Sequence, residues 1–514
     1  MIEEVLDRRS GPHAHIGRAW LTLLTLSLGA MMVSLDATIV TVAQPAMQTD
    51  LQTSLTGIQW VVNGYLLAVS ALLITAGKLG DRYGHRKVFL IGAAGFTAAS
   101  VAIGLCGQIG WVIGLRVLQG VFGALMQPAT LGLLRHAFPA DRLNGPIAVR
   151  SAVIAAATAA GPVVGGVLVD HADWRWVFFL NVPLGMAVIV LGAVVLRETG
   201  GQREAVRLDL SGMVLLAGTL CVFISGLGMA ADHGRPDVRT VGLLAAAALL
   251  AVAFVRRQRV ADDPLVPPRI FRSARFRAGV LSMTAMSFVM FGAPFVLVFY
   301  LQNVLGLSPT ESGVRVLALT GLMIVGAPPA AVWIGRSGPW LPVATGLAVT
   351  AAAMCALSQL DARSGALETT ACFFLLGLGF SPVMVGATKL VLSGAPAELS
   401  GVAGGMQQTA MQVGGSLGIA AVSVVVATYT ASALPGRLAA EGISLAPGLA
   451  GEAGRTAAVG LAPAGSGPAG ASAIRVIQPV FLEGMQYALL VTAAVAALGA
   501  FAVLLARRAE GQEA

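Results

Sequence analysis

Two charged side chains stand where the surrounding sequence is almost pure hydrocarbon: Asp36, in MMVSLDATIV, and Arg116, in GWVIGLRVLQG. A carboxylate inside an apolar segment costs several kcal/mol unless it is paired, hydrated or protonated. Burial and a nearby cation pull a carboxyl's proton affinity in opposite directions. A group balanced between them can trade a proton for a cationic solute. A permanent structural ion pair is the alternative for Asp36. For Arg116 it is an arginine that ties helices together through their carbonyls. Gln119 follows Arg116 by one turn and could share its network. No second acidic residue lies well inside an apolar run, which argues against strongly multivalent cation export.

The elements that must position these residues follow from composition. The chain has 514 residues, 56% hydrophobic and 11% charged, with a mean hydropathy of +0.81. Soluble domains carry about 25% charged residues. Repeated apolar runs of about 20 residues mark transmembrane helices, and solid runs without period-two alternation exclude a barrel. The expected spans are 19–42, 57–76, 88–107, 109–134, 147–169, 176–196 and 210–230. They continue with 240–255, 278–300, 313–334, 340–358, 367–392, 402–428 and 484–506. Lys and Arg favour cytoplasmic segments. With the N-terminus inside, 23 of the 33 basic residues count to the inner side, Arg150 at the edge of span 5 among them, and 8 to the outer, Arg315 at the edge of span 10 among them; Arg116 and Lys389 are left within spans. That ratio supports fourteen spans with both ends cytoplasmic. Asp36 then lies about six residues, roughly 9 Å, from the outer end of span 1, and Arg116 roughly 10 Å deep in span 4. The two depths match.

The expected fold is thus an all-α polytopic membrane protein. A cytoplasmic segment (1–18) precedes a six-helix half (19–196). Two inserted helices and a basic linker (197–277) lead to a second half (278–506). This half includes a flexible external loop (429–483), and a tail (507–514) follows. All seven tryptophans sit near span ends, where the ring suits the interface.

Other functions are disfavoured. The net charge of +8 is spread over short gaps between apolar runs rather than a nucleic-acid-binding face. Cys106, Cys221, Cys355 and Cys372 all lie within apolar runs and offer neither a disulfide framework nor metal spacing. No nucleophile–base pair, metal cluster or nucleotide-binding loop suggests an enzyme or an ATP-driven pump. The first 18 residues lack the pattern of a cleaved signal.

An internal repeat supports two halves. LLRHAFPADRLNG (133–145) matches LVLSGAPAELSG (390–401), and the Gly161/Gly165 spacing recurs at Gly414/Gly418. Between spans 2 and 3 lies GKLGDRYGHRK (77–87). With the repeat, it resembles the cytoplasmic signature of the major facilitator superfamily. RVLQGVFGA (116–124) resembles that superfamily's fourth-helix signature, and AGPVVGG (160–166) its fifth-helix antiporter signature. LDATIVTVAQP (35–45) resembles the first-helix signature of the fourteen-span drug:proton antiporters. Three departures stand out: ATAA (157–160) replaces the antiporter signature's leading glycine, Gln44 precedes Pro45, and IGRSGP (334–339) keeps little of the charged signature.

The resemblance implies proton-coupled export by alternating access across a bacterial cytoplasmic membrane, driven by the proton-motive force with no cofactor and no metal. The cargo would be hydrophobic drugs or antibiotics, cationic or zwitterionic, and the carrier functional as a monomer. A dedicated exporter of an endogenous metabolite or self-made antibiotic is the alternative; a non-transporting sensor is a more distant one. The resemblance gives Arg116 the role of steering the protonation of Asp36. Gly77, Gly80, Asp81, Arg82, Gly84, Arg86 and Lys87 would form a cytoplasmic gate. Gly161, Pro162, Gly165 and Gly166 would form a tight, bendable seam. Weaker candidates for the substrate cavity are Asn63, Tyr65, Gln119, Met286, Met290, Gln408 and Gln412.

Overall fold

A chain in a bilayer must satisfy its own backbone groups, and helices do so segment by segment. The computed structural model describes residues 12–138, 144–197, 209–233, 238–261, 264, 268–396, 400–443, 456–461 and 467–513; every regular element among them is helical. The first half comprises α1 (Pro12–Asp50), α2 (Leu55–Tyr83), α3 (His85–Leu105), α4 (Ile109–Ala137) and α5 (Asn144–His171), then α6 (Trp176–Phe179) and α7 (Asn181–Val195). The inserted pair is α8 (Leu210–His233) and α9 (Val238–Val260). The second half comprises α10 (Ala274–Phe299), α11 (Pro309–Val325), α12 (Ala327–Ser337), α13 (Trp340–Leu357), α14 (Ala366–Ser393), α15 (Ser400–Ala440) and α16 (Gly467–Glu513).

Among the described residues, 12 helices are long and apolar enough to cross a membrane, or up to 13 with the bent pair α11–α12 as one span. Each of the fourteen expected spans falls on a helix, but the number of crossings rests on that pair and on α8, whose described apolar part is Leu210–Gly226. The 41° bend has a local cause. Gly326 separates the two helices, and Pro328 and Pro329 cannot supply backbone donors. The Ser381 hydroxyl donates to the Met323 carbonyl at 2.9 Å beside the break.

The internal repeat is a packing scheme used twice. In the first half α1 packs on α5 and α7, α2 on α4, and α3 on α4 and α7. In the second α10 packs on α15 and α16, α11 on α14, and α13 on α14 and α16. The halves meet along α2–α15 and α5–α11, contacts that exchange under the pseudo-twofold. α8 leans on this seam through Leu220 and Ile224 against Leu67 and Ala420. α9 packs on α8.

The repeated glycines do the same work in both halves. A Cβ at Gly165 would sit 2.7 Å from the Ile39 carbonyl oxygen, and one at Gly161 would overlap Thr38. Gly414 and Gly418 press likewise on the carbonyls of Thr284 and Phe288. Small residues allow such backbone approach where the surrounding lipid supplies no hydrophobic drive.

Several expectations are corrected. The 429–483 segment is not a flexible loop throughout: α15 continues to Ala440 and α16 starts at Gly467. Leu434 and Leu438 pack with Val476, Ile477 and Val480 in a small separate core. Residues 456–461 are tied down by an Asn303 amide donating to the Val459 carbonyl at 2.7 Å. The 507–514 tail is helical to Glu513, with Glu510 bridged to Arg275. Residues 12–18 belong to α1, and 1–11 lie outside the described residues. Trp174 is buried within the protein, its indole donating to Asp50 at 3.0 Å.

Candidate functional site

α1 runs eight residues past its expected outer end, so Asp36 sits near mid-helix, roughly 21 Å from Asp50 rather than 9 Å from the end. Its carboxylate is wholly buried, as is Arg116 at 1% exposure. They meet directly: Arg116 Nη1 donates to Asp36 Oδ2 at 2.6 Å. Arg116 Nη1 also reaches Gln119 Oε1 at 2.6 Å, and Nε reaches the Val61 carbonyl at 3.1 Å. Asp36 Oδ1 accepts from Gln119 Nε2 at 3.0 Å and from Asn181 Nδ2 at 2.9 Å. Ser100 Oγ accepts from Gln119 at 2.8 Å and from Asn181 at 3.3 Å. The guanidinium carbon lies 4.4 Å from the Tyr65 ring centroid and 5.7 Å from that of Phe178.

The spacing in RVLQG now has a mechanical reason. Arg116 and Gln119, three residues apart, share one face of α4. A Cβ at Gly120 would lie 2.6 Å from the Tyr65 carbonyl oxygen, so glycine there lets α4 approach α2 closely. A buried ion pair is tolerated only when its remaining lone pairs and protons are satisfied. Here four helices besides α1 supply the partners. Asn181 and Ser100 escaped the sequence reading. Asn181 was findable as a lone amide in the apolar run VFFLNVPLG, whereas Ser100 carried no signal among the small residues of α3.

Between the halves lies a cavity of about 500 Å³, within the size range of small-molecule sites. Ser34, Ala37, Thr38 and Thr41 of α1 line it, with Tyr65 standing between it and the Arg116 guanidinium. Met290, Gln408 and Gln412 line it as expected. Asn63, Gln119 and Met286 do not. Asn63 is fully buried with both amide atoms unpartnered, Gln119 belongs to the Asp36 network, and Met286 sits in the second half's core with its sulfur 3.7 Å from Thr350 Oγ1. Asp36 turns away from the cavity, because α1 points its neighbours at the cavity and Asp36 at α4. Arg150, counted from sequence among inner-side cations, stands in the cavity wall. No described lining residue is acidic, so a cationic cargo finds no carboxylate counter-ion there.

The halves close on each other at the end that the sequence expectation places outside. Gln302 Nε2 donates to the Val42 carbonyl at 3.1 Å, from a π turn spanning Tyr300–Val304. The Thr310 amide donates to Asp170 at 2.8 Å. A Cβ at Gly166 would lie 2.5 Å from the Pro309 carbonyl, and Gly313 presses on the carbonyl of Pro162. Gly161 and Gly165 thus pack within the first half, while Pro162 and Gly166 pack across the halves. The cavity runs inward from this seal toward Arg150.

Residues 77–87 form a corner rather than a loop. α2 continues through Tyr83, and Gly84 alone, at φ 94°, turns the chain into α3. That φ demands glycine. His85 is clasped between Gly80 and Gly132, where any Cβ would collide with its ring. Gly77 has only ordinary contact with Pro128. Arg86 donates to the Ala193 carbonyl at 2.7 Å and Arg18 to that of Val195 at 3.2 Å, so both serve the open C-terminus of α7. Arg82 lies 5.2 Å over Tyr83, and Lys87 is exposed. The side chain of Asp81 lies outside the described residues. These contacts tie the corner to its own half. Lys389 is exposed on α14, as a lysine reaching for the membrane edge would be.

Two pseudo-symmetric bundles around a central cavity define a membrane transporter, and the chain belongs to the Major Facilitator Superfamily, whose family model matches residues 26–419. Among curated relatives it is 48% identical to the tetracenomycin C resistance and export protein of Streptomyces glaucescens, over 97% of this chain and 93% of that one. It is 33% identical to a puromycin resistance protein of Streptomyces alboniger, over 81% and 84% of the two chains. In fold it is similar to a bacterial homologue of the human lysosomal transporter Spinster, with a TM-score of 0.66 at 16% identity, over 97% of this chain and 98% of that one.

Proposed function

We propose that this protein expels small, largely apolar antibiotics across the bacterial cytoplasmic membrane in exchange for protons. The carrying observation is the fully satisfied Asp36–Arg116 network set one side chain behind the cavity wall. Protonation of Asp36 would release Arg116 from its strongest bond. The freed guanidinium would then act on Tyr65 and on the Val61 carbonyl of α2, one of the helices at the seam between the halves. Proton uptake and the geometry of the cavity are in this way linked through one side chain. The seal at Gly166, Pro309 and Gln302 corresponds to the inward-open stage of such a cycle, and the residue 77–87 corner would gate the opposite stage.

A dedicated exporter of one self-made antibiotic is the second reading, favoured by the near full-length similarity to a tetracenomycin C resistance and export protein. Everted vesicles energised by a proton gradient test the coupling. Wild type should accumulate an antibiotic probe until an uncoupler is added, and Asp36→Asn should lose at least about tenfold in gradient-driven rate. Uncoupler-sensitive export at full rate by the variant would refute Asp36 as the proton site.

A further inference from the structure

The cavity contains one formal charge among its described lining residues, and it is positive. Arg150 sits partly buried in the wall, and no described residue gives it a hydrogen bond or an ion pair; its Nε is buried without a partner. Arg116, buried on the far side of Tyr65, differs on every point. Arg116 has a carboxylate, an amide oxygen, a backbone carbonyl and two aromatic rings. Asp36 cannot reach across to Arg150, because both its oxygens are engaged on the far side of Tyr65. A guanidinium held partly out of water without a counter-ion is destabilising until an anion arrives. Its fork of donors matches a carboxylate or an ionised phenol. Among the neutral side chains that complete the lining is a soft and aromatic set, Met290, Met323, Met384 and Met411 with Phe291 and Phe380. Thioethers adapt to the edges of flat ring systems.

From this we infer that the cavity selects weakly acidic aromatic compounds, with Arg150 holding their ionised oxygen and the methionines and phenylalanines holding their rings. The inference deepens the export reading by assigning its cargo a charge, opposite to that expected from sequence.

Binding is measured on the full-length protein in phosphatidylcholine nanodiscs, with three probes: a dihydroxyanthraquinone carboxylate, its methyl ester, and ethidium. The acid should bind about tenfold tighter than the ester, the worth of one charge-assisted hydrogen bond in a partly dry site. Arg150→Gln should remove that advantage and leave the ester within about twofold of wild type, and Arg150→Lys should keep part of it. Equal affinities for acid and ester in wild type would overturn the inference. So would equal losses of both probes in Arg150→Gln, which mark a structural role, or a preference for ethidium. Phosphatidylglycerol nanodiscs distinguish a lipid headgroup as the anion: competition with the acid that disappears in Arg150→Gln would assign the guanidinium to lipid. Binding needs no gradient, so the two readings fail separately. Gradient-driven export of ethidium but not the acid would sink the cargo assignment alone. Arg150-dependent binding of the acid without export of any probe would sink the export reading alone.

Discussion

The two halves share one helix pairing and differ in what they bury at its centre. In the first, α1, α3, α4 and α7 converge on Asp36, Ser100, Arg116, Gln119 and Asn181, a charged and fully bonded cluster. In the second, α10, α13 and α14 converge on Met286, Thr350 and Val383, and the glycines Gly346 and Gly379 bring two backbones together, a Cβ on Gly346 falling 2.7 Å from the Gly379 carbonyl. The second core is apolar and close-packed. A scaffold that works without charge in one copy shows that the charge in the other is not needed to hold such a bundle. Its presence is better explained by chemistry than by stability, since replacing a buried ion pair with well-packed apolar groups is often neutral or stabilising.

Substitutions can press on this contrast. The largest effect is expected in the charged core: Arg116→Ala strands Asp36 and should cost about 3–5 kcal/mol, read as thermal unfolding in detergent. A smaller loss for the Asp36→Asn, Arg116→Gln double variant than for the sum of the singles would show that the pair acts as a unit. Next come the seams that both halves share. Gly165→Ala and Gly418→Ala each drive a methyl into a backbone carbonyl and should each cost about 1–3 kcal/mol. Gly404, with open space around its Cα, should take alanine without loss. If one seam tolerates the methyl and the other does not, the halves are not mechanical equivalents. In the apolar core Met286→Leu should cost under about 1.5 kcal/mol and leave gradient-driven transport intact; a transport defect there would end the division of labour.

The smallest effect belongs to the inserted pair. Asp209 caps α8, accepting from the Gly212 amide at 3.0 Å, and joins it to α9 through Arg257 and Gln258. Burial pushes its carboxyl up, but bonds from Gly212, Gln258, Arg257 and Ser211 outweigh that and hold it below the usual carboxylate range. A lowered folded-state pKa contributes stability above the ordinary value, lost as pH falls through the lowered one. Hydrogen exchange in α8 and α9 should therefore quicken on acidification below about pH 4. Asp209→Ala should abolish that pH dependence at a cost of about 1 kcal/mol.

Hydrocarbon runs were enough to place every expected span on a helix, because bilayer thickness and backbone satisfaction leave few options. The Asp36–Arg116 contact was also legible, though through a depth estimate that misjudged the end of α1; QPAMQTD looks like a loop and folds as two more turns. Segment 429–483 was misread for a related reason. Its composition, rich in alanine, offers few large apolar side chains, yet alanine is the best helix former, and Leu434, Leu438, Val476, Ile477 and Val480 supply enough apolar faces to pair the two extensions. Arg150, at the start of an apolar run, reads from sequence as one more inner-side cation. Position along a helix gives depth; whether a side chain has a partner depends on the helices opposite.

The lone guanidinium also bears on energetics. If the cargo is an acid exchanged for a proton, as proposed, then with Asp36 ionised and the acid bound the two arginines and the two anions would cancel, and the loaded carrier would reorient without moving net charge. With the cargo gone and Asp36 protonated, the same site would carry two positive charges back toward an electrically negative interior. Each elementary charge moved through 100 mV is worth about 2.3 kcal/mol. The membrane potential would then power the return stroke rather than the export stroke, and turnover should slow on collapse of the voltage even while the pH gradient is held.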